Sequence, residues 1–131
     1  MNKTVVIIDD DPIVRLVTQR MMHNIDSSVN FHQCENGEVG LSVIEKLQNV
    51  SDYVVVLLDI NMPVLNGWQF LDRLQQLNIV ASDKFQLYMI TSSTDASDKI
   101  KARSYPVIKK FYHKPLSNQD LKEILSSNEM P

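Results

Sequence analysis

The run YVVVLL at residues 53–58 is apolar or aromatic at every position. A strand with one wet face alternates apolar and polar residues, so an unbroken run marks a strand buried on both faces. Such strands occur where helices cover a parallel sheet on each side. Four further runs have strand character: TVVII (4–8), VNFHQC (29–34), FQLYMI (85–90) and KKFYH (109–113). Helical spacing fills the gaps. Ile13, Leu16, Val17 and Met21 share a face in PIVRLVTQRMM, as do Gly40, Leu41, Ile44 and Leu47 in GEVGLSVIEKL. Phe70, Leu71, Leu74 and Leu77 repeat the pattern in GWQFLDRLQQL, while DASDKIKARS is polar and expected to be exposed. SNQDLKEIL starts with Ser117 and has Asp120 three residues on, the signature of a capping box. Strand then helix, five times over, predicts an α/β fold with a five-stranded parallel sheet and helices on both faces.

In such folds ligands sit beyond the C-terminal ends of the strands. Asp9, Asp10 and Asp11 follow the first run, Asp59 the third, Thr91 and Ser92 the fourth, and Lys114 with Pro115 the fifth. Singly, each has an ordinary explanation: a turn, a cap, a solvated lysine. Their joint position at the sheet edge is harder to dismiss. Asp11 precedes Pro12, and Asp at the N-cap with Pro at the first helical position is a strong helix start. Asp9 and Asp10 need another reason to stand together, because neighbouring carboxylates repel. A hard divalent cation supplies one. Mg²⁺ prefers octahedral oxygen ligands and is held by one or two carboxylates together with phosphate oxygens and water.

VVIIDDDP, VVLLDINMPVLNG, MITSS and FYHKP together resemble the receiver domain of two-component response regulators, over roughly residues 4–126. The resemblance implies a doubly wound, flavodoxin-like sheet in the order 2-1-3-4-5. It further implies that Asp59 is the phosphoacceptor, Asp10 a direct Mg²⁺ ligand and Asp9 an acid acting through water. The backbone carbonyl of Asn61 would complete the metal shell. Thr91 matches the hydroxyl that bonds the phosphoryl group, Lys114 the lysine that pairs with it, and Phe111 the switch aromatic, where the family commonly has Tyr. Asn61 and Ser93 fall where the family tunes the phosphorylated lifetime. Pro115 falls where the family usually has a cis peptide. The expected donor is a sensor histidine kinase or a histidine phosphotransfer protein. The chain is expected not to be an enzyme in the ordinary sense, catalysing only its own phosphoryl transfer and dephosphorylation. Its output is expected to be binding of a downstream protein, with a phosphorelay role and a phosphorylation-independent pseudo-receiver as the alternatives.

Composition narrows the function classes. A chain of 131 residues, 44% hydrophobic, suits one domain, here 1–131 with a short C-terminal tail. After the last helical segment only SSNEMP remains, which predicts a stand-alone receiver. A net charge of -3 argues against direct nucleic-acid binding. The charge is uneven: residues 1–83 carry 5 basic and 11 acidic side chains, residues 84–131 carry 8 and 5. Lys99, Lys101, Arg103, Lys109 and Lys110 cluster near the fourth helix and fifth strand, ordinarily a solvated surface and alternatively a partner face. Cys34 is the only cysteine, read as a small buried hydrophobe, and fits a cytoplasmic location. No secretory signal or membrane-length apolar run is present. His23, His32 and His113 lack ligand spacing, and Trp68 is read as packing.

Three rivals fare worse. A haloacid-dehalogenase-type phosphatase would carry Asp-x-Asp at its nucleophile, whereas Asp59 is followed two residues later by Asn61. No Walker A or G-x-G-x-x-G supports a nucleotide site. The complete set of Asp9, Asp10, Asp59, Thr91 and Lys114 argues against a pseudo-receiver.

Overall fold

A computed structural model describes residues 3–48, 53–77, 84–92 and 96–126. Strands and helices alternate as β1 (Lys3–Ile8), α1 (Pro12–Ile25), β2 (Asn30–Cys34), α2 (Gly37–Leu47), β3 (Tyr53–Asp59), α3 (Gly67–Gln76), β4 (Phe85–Thr91), α4 (Ala96–Ala102), β5 (Ile108–His113) and α5 (Asn118–Ser126). The strands form one parallel sheet in the order β2-β1-β3-β4-β5, as the resemblance implied.

The apolar run in β3 divides between two cores. Val54, Val56 and Leu58 join Val6, Ile8, Leu87 and Met89 on the side covered by α2 and α3. Val55 and Leu57 join Val5, Ile7, Tyr88 and Ile90 on the side covered by α1 and α5. A strand side chain alternates between faces, so a strand with helices on each side must be apolar throughout. The sheet register then sets Asp59 beside Ile90, at the end where β1, β3, β4 and β5 all terminate.

Capping chemistry starts the helices where the sequence placed them. The Asp11 carboxylate accepts from the backbone N–H groups of Ile13 and Val14 at 2.9 and 3.4 Å, with Pro12 opening α1. Ser117 and Asp120 exchange reciprocal bonds of 3.0 and 3.1 Å before α5. Asn66 is the N-cap of α3 in a full capping box with Gln69.

The apolar face expected of α1 differs. Thr18 and Met22 are its buried residues, whereas Ile13, Leu16 and Val17 are 71%, 43% and 49% exposed and Met21 is half-buried. The helix is turned so that one stripe meets the sheet. Ile13, Val17 and Met21 instead border an open groove of about 430 Å³ that is also lined by Pro115 and Leu116. Cys34 is fully buried, as expected, and the three histidines are exposed.

Candidate functional site

Side chains from three strand ends meet at the C-terminal edge of the sheet. Asp9 follows β1, Asp59 closes β3, and Lys114 follows β5. The Lys114 Nζ lies 2.7 Å from Asp9 Oδ2 and 3.3 Å from Asp59 Oδ2. Both carboxylates are buried, so this paired charge sits at an edge that water reaches only partly. Asp10 is exposed, yet carboxylate oxygens of Asp9, Asp10 and Asp59 all lie within 4.8 Å of one another.

Backbone bonds hold these groups in place. Asp9 Oδ1 accepts from the Asp11 N–H at 2.9 Å, and the Asp9 N–H donates to the Cys34 carbonyl at 3.1 Å. Asp59 Oδ1 accepts from the Asn61 N–H at 3.3 Å. The Lys114 N–H donates to the Thr91 carbonyl at 2.9 Å, locking the ends of β4 and β5 together. Thr91 itself is buried at the end of β4. The Lys114–Pro115 peptide is cis. Asn61 is exposed in the loop after β3, and Ser93 lies outside the described residues.

The electrostatics follow from that packing. Burial pushes the proton affinity of Asp59 up, the charge of Asp9 pushes it further, and Lys114 only partly offsets them. Lys114 shifts in the same direction for a different reason: burial opposes its charge, but the hydrogen bond to Asp9 and the charges of Asp59 and Asp9 outweigh burial and strengthen its hold on the proton. The site therefore contains more negative charge than its lysine neutralises. Three hard oxygen donors within reach of one cation match the ligand preference of Mg²⁺.

Two features escaped the sequence. Arg15, one turn into α1, donates from Nη1 to the Asp9 carbonyl at 2.6 Å and from Nε to Gln33 at 3.3 Å, so it braces the chain at the acidic pair. Its only signal was its place one helical turn after the Asp11 cap. Val64 has φ 70°, and the Leu65 N–H bonds back to the Pro63 carbonyl at 2.8 Å. A β-branched residue at positive φ stores about 1–3 kcal/mol of strain. No sequence signal points to this, because Val is among the residues least suited to it.

Phe111 is half-buried on β5, its ring centroid 6.4 Å from that of Trp68. Of the basic residues singled out, Lys99, Lys101, Arg103, Lys109 and Lys110 are all exposed.

A doubly wound parallel sheet with clustered acids and a paired lysine at its C-terminal edge defines the receiver class of α/β domains. The family model of the response regulator receiver domain matches residues 5–126, and the chain belongs to that family, the phosphoacceptor domain of two-component systems. It is 32% identical over 76 residues to the nitrate/nitrite response regulator protein NarL of Escherichia coli strain K12, which covers 58% of this chain and 33% of that protein. It is 30% identical over 135 aligned positions to the positive alginate biosynthesis regulatory protein of Pseudomonas aeruginosa, covering 97% of this chain and 47% of the other. The chain thus spans a third to about half the length of these curated relatives. Among solved structures, a two-component response regulator from Cytophaga hutchinsonii superposes with a TM-score of 0.84 at 23% identity, over 98% of this chain and 97% of that one. The chemotaxis protein CheY4 of Vibrio cholerae gives 0.79 at 19% identity, over 97% and 98%. At these identities the structures establish the fold. Among the described residues no helix is long and apolar enough to cross a membrane.

Proposed function

We propose that this chain is a receiver unit, residues 1–131 with its core over 4–126, that accepts a phosphoryl group on Asp59 in a Mg²⁺-dependent reaction. What carries the reading is the paired contact of Lys114 with Asp9 and Asp59, beside a third carboxylate on Asp10. Asp59 is the nucleophile. A desolvated carboxylate of raised basicity attacks phosphorus more readily than a solvated one. Its oxygen forms the new P–O bond while the P–N bond of a phosphohistidine breaks, the electron pair staying on the imidazole nitrogen. Asp9, Asp10 and Asp59, with the backbone carbonyl of Asn61, would hold the Mg²⁺. Bound there, the ion supplies positive charge to the carboxylates and to the phosphoryl oxygens. Lys114 pairs with a phosphoryl oxygen once Asp59 is modified, and Thr91 donates its hydroxyl to another.

The product is an acyl phosphate with about -1.5 to -2 added charge. Thr91 moves toward it, Phe111 turns into the vacated space, and the surface of α4, β5 and α5 repacks as a two-state shift. Phe111 has no hydroxyl, so the outward state is read by partners through ring packing alone. The donor is a sensor histidine kinase or histidine phosphotransfer protein in the cytoplasm, and the output is a protein contact. Loss of the phosphoryl group to water, with the P–O bond to Asp59 breaking, resets the switch.

The test is incubation with Mg²⁺ and acetyl phosphate or phosphoramidate, followed by intact mass. Wild type gains one phosphoryl group and Asp59→Asn gains none; an unmodified wild type overturns the proposal. Pull-downs with and without beryllofluoride then separate binding of a downstream target from relay to a phosphotransfer protein.

A further inference from the structure

Trp68 is the only tryptophan, and three side chains from beyond α3 rest on its ring. Tyr105, in the connection between α4 and β5, lies 5.4 Å away between centroids at 35°. Phe111 of β5 lies 6.4 Å away at 42°. The Lys101 Nζ of α4 sits 5.1 Å from the Trp68 ring centroid, a cation–π distance. Tyr105 is held at its other end as well, its hydroxyl donating to Asp72 Oδ1 at 2.8 Å. Trp68 and Asp72 are four residues apart on α3 and therefore share one face. The Tyr105 side chain lies across that face with its ring on one residue and its hydroxyl on the other.

α4 has little apolar grip of its own. Its one large apolar side chain, Ile100, is 61% exposed, and Ala102 is its apolar contact to the core among the described residues. The root of Trp68, by contrast, is tied to the acceptor strand. The N–H of Gly67, the preceding residue, donates to the Ile60 carbonyl at 2.9 Å. A Cβ on Gly67 would stand 2.9 Å from the Ile60 Cα and 3.0 Å from the Asp59 carbonyl oxygen, so the start of α3 is pressed against the backbone of the acceptor itself.

We propose that Trp68 is a positioning residue that couples Asp59 to α4: an aromatic clasp of Trp68, Tyr105 and Lys101 holds α4 on α3, and Phe111 opens or closes it. The inference rests on Asp59 being the phosphoacceptor. When Phe111 turns inward it leaves the Trp68 ring, and the clasp that orients α4 loses the support it has from β5. The basic surface of Lys99, Lys101 and Arg103 then shifts with α4.

Hydrogen exchange, Trp68 fluorescence and intact mass on the full chain test it. In the unmodified protein Tyr105→Phe keeps the ring stack but loses the bond to Asp72, and amide exchange over 96–107 quickens by about tenfold while β3 is unchanged. Unchanged exchange over 96–107 overturns the clasp. With Mg²⁺ and beryllofluoride, wild-type Trp68 emission shifts, and Phe111→Leu, which keeps apolar packing, loses at least half of that shift. A phosphoryl adduct by mass with no emission change in the wild type, or a full shift in Phe111→Leu, overturns the coupling and leaves the acceptor reading standing. Absence of the adduct overturns the acceptor reading and the coupling together.

Discussion

The two sides of the sheet solve the same packing problem differently. On the α2–α3 side the helices approach so closely that a Cβ on Gly40 would lie 2.5 Å from Ile8 Cδ1, and one on Gly67 would meet backbone. Phe70, Leu71 and Leu74 are fully or almost fully covered there. On the α1–α5 side, α1 buries Thr18 and Met22 and leaves Ile13 and Val17 along a groove that reaches Lys114 and Asp9. One side is filled to the backbone; the other keeps apolar surface in solvent beside the acidic pair. The lesson is that a sheet can be apolar on both faces while one of its covering helices, α1, meets it along only a narrow stripe, even though α5 beside it buries Leu121, Ile124 and Leu125.

Four experiments would break or sharpen that contrast. Phe70→Ala is expected to cost about 3–5 kcal/mol by denaturant unfolding, whereas Val17→Ala on the groove changes stability by no more than about 0.5 kcal/mol. Equal costs would erase the contrast. Gly67→Ala is expected to cost about 1–3 kcal/mol, because its new methyl meets backbone that cannot step aside. The same variant should slow phosphoryl uptake by acetyl phosphate, since the displaced backbone is that of Asp59 and Ile60.

The third concerns the edge where both sides end. Added Mg²⁺ is expected to raise Tm by linkage, and Asp10→Asn to remove most of the rise. Calorimetry with and without chelator reads both. A rise that persists in Asp10→Asn would place the ion elsewhere. The fourth compares thiol access. Burial on the filled side pushes the Cys34 thiol up to about 11. The native thiol should resist iodoacetamide at pH 8, whereas Val17→Cys on the groove is alkylated readily. Because the folded value lies above the ordinary one, the neutral thiol stabilises the fold fully below about pH 9, and that contribution is lost as pH rises through about 11. A Cys34→Ala variant should show a shallower loss of stability across that window.

The strands were legible almost to the residue, because β-branched runs bounded by polar clusters leave little choice of conformation. Asp11 and Ser117 were legible as caps for a similar reason: each acts within its own helical turn. The α1 face was misjudged because periodicity finds an apolar stripe without saying which part of it meets the sheet. Ile13, Leu16, Val17 and Met21 do share a face, yet Thr18 and Met22 face the core. Asp9, Asp10, Asp59 and Lys114 could be named from strand-end position and motif. Arg15 could not, since its bond to the Asp9 carbonyl depends on how α1 leans on β1.

What the order of residues determined by itself was local and topological: which segments extend, which coil, where helices begin, and that an unbroken apolar strand must be covered twice. From these the parallel sheet and the edge where its acids gather follow. The tertiary structure alone decided the distances at the candidate site, with Lys114 bridging Asp9 and Asp59, and the ring contacts on α3, with Trp68 receiving Tyr105, Phe111 and Lys101. The physical reason is range. Propensity, capping and periodicity act over a few residues, whereas an ion pair between β1, β3 and β5 exists only after three distant segments have been registered in one sheet.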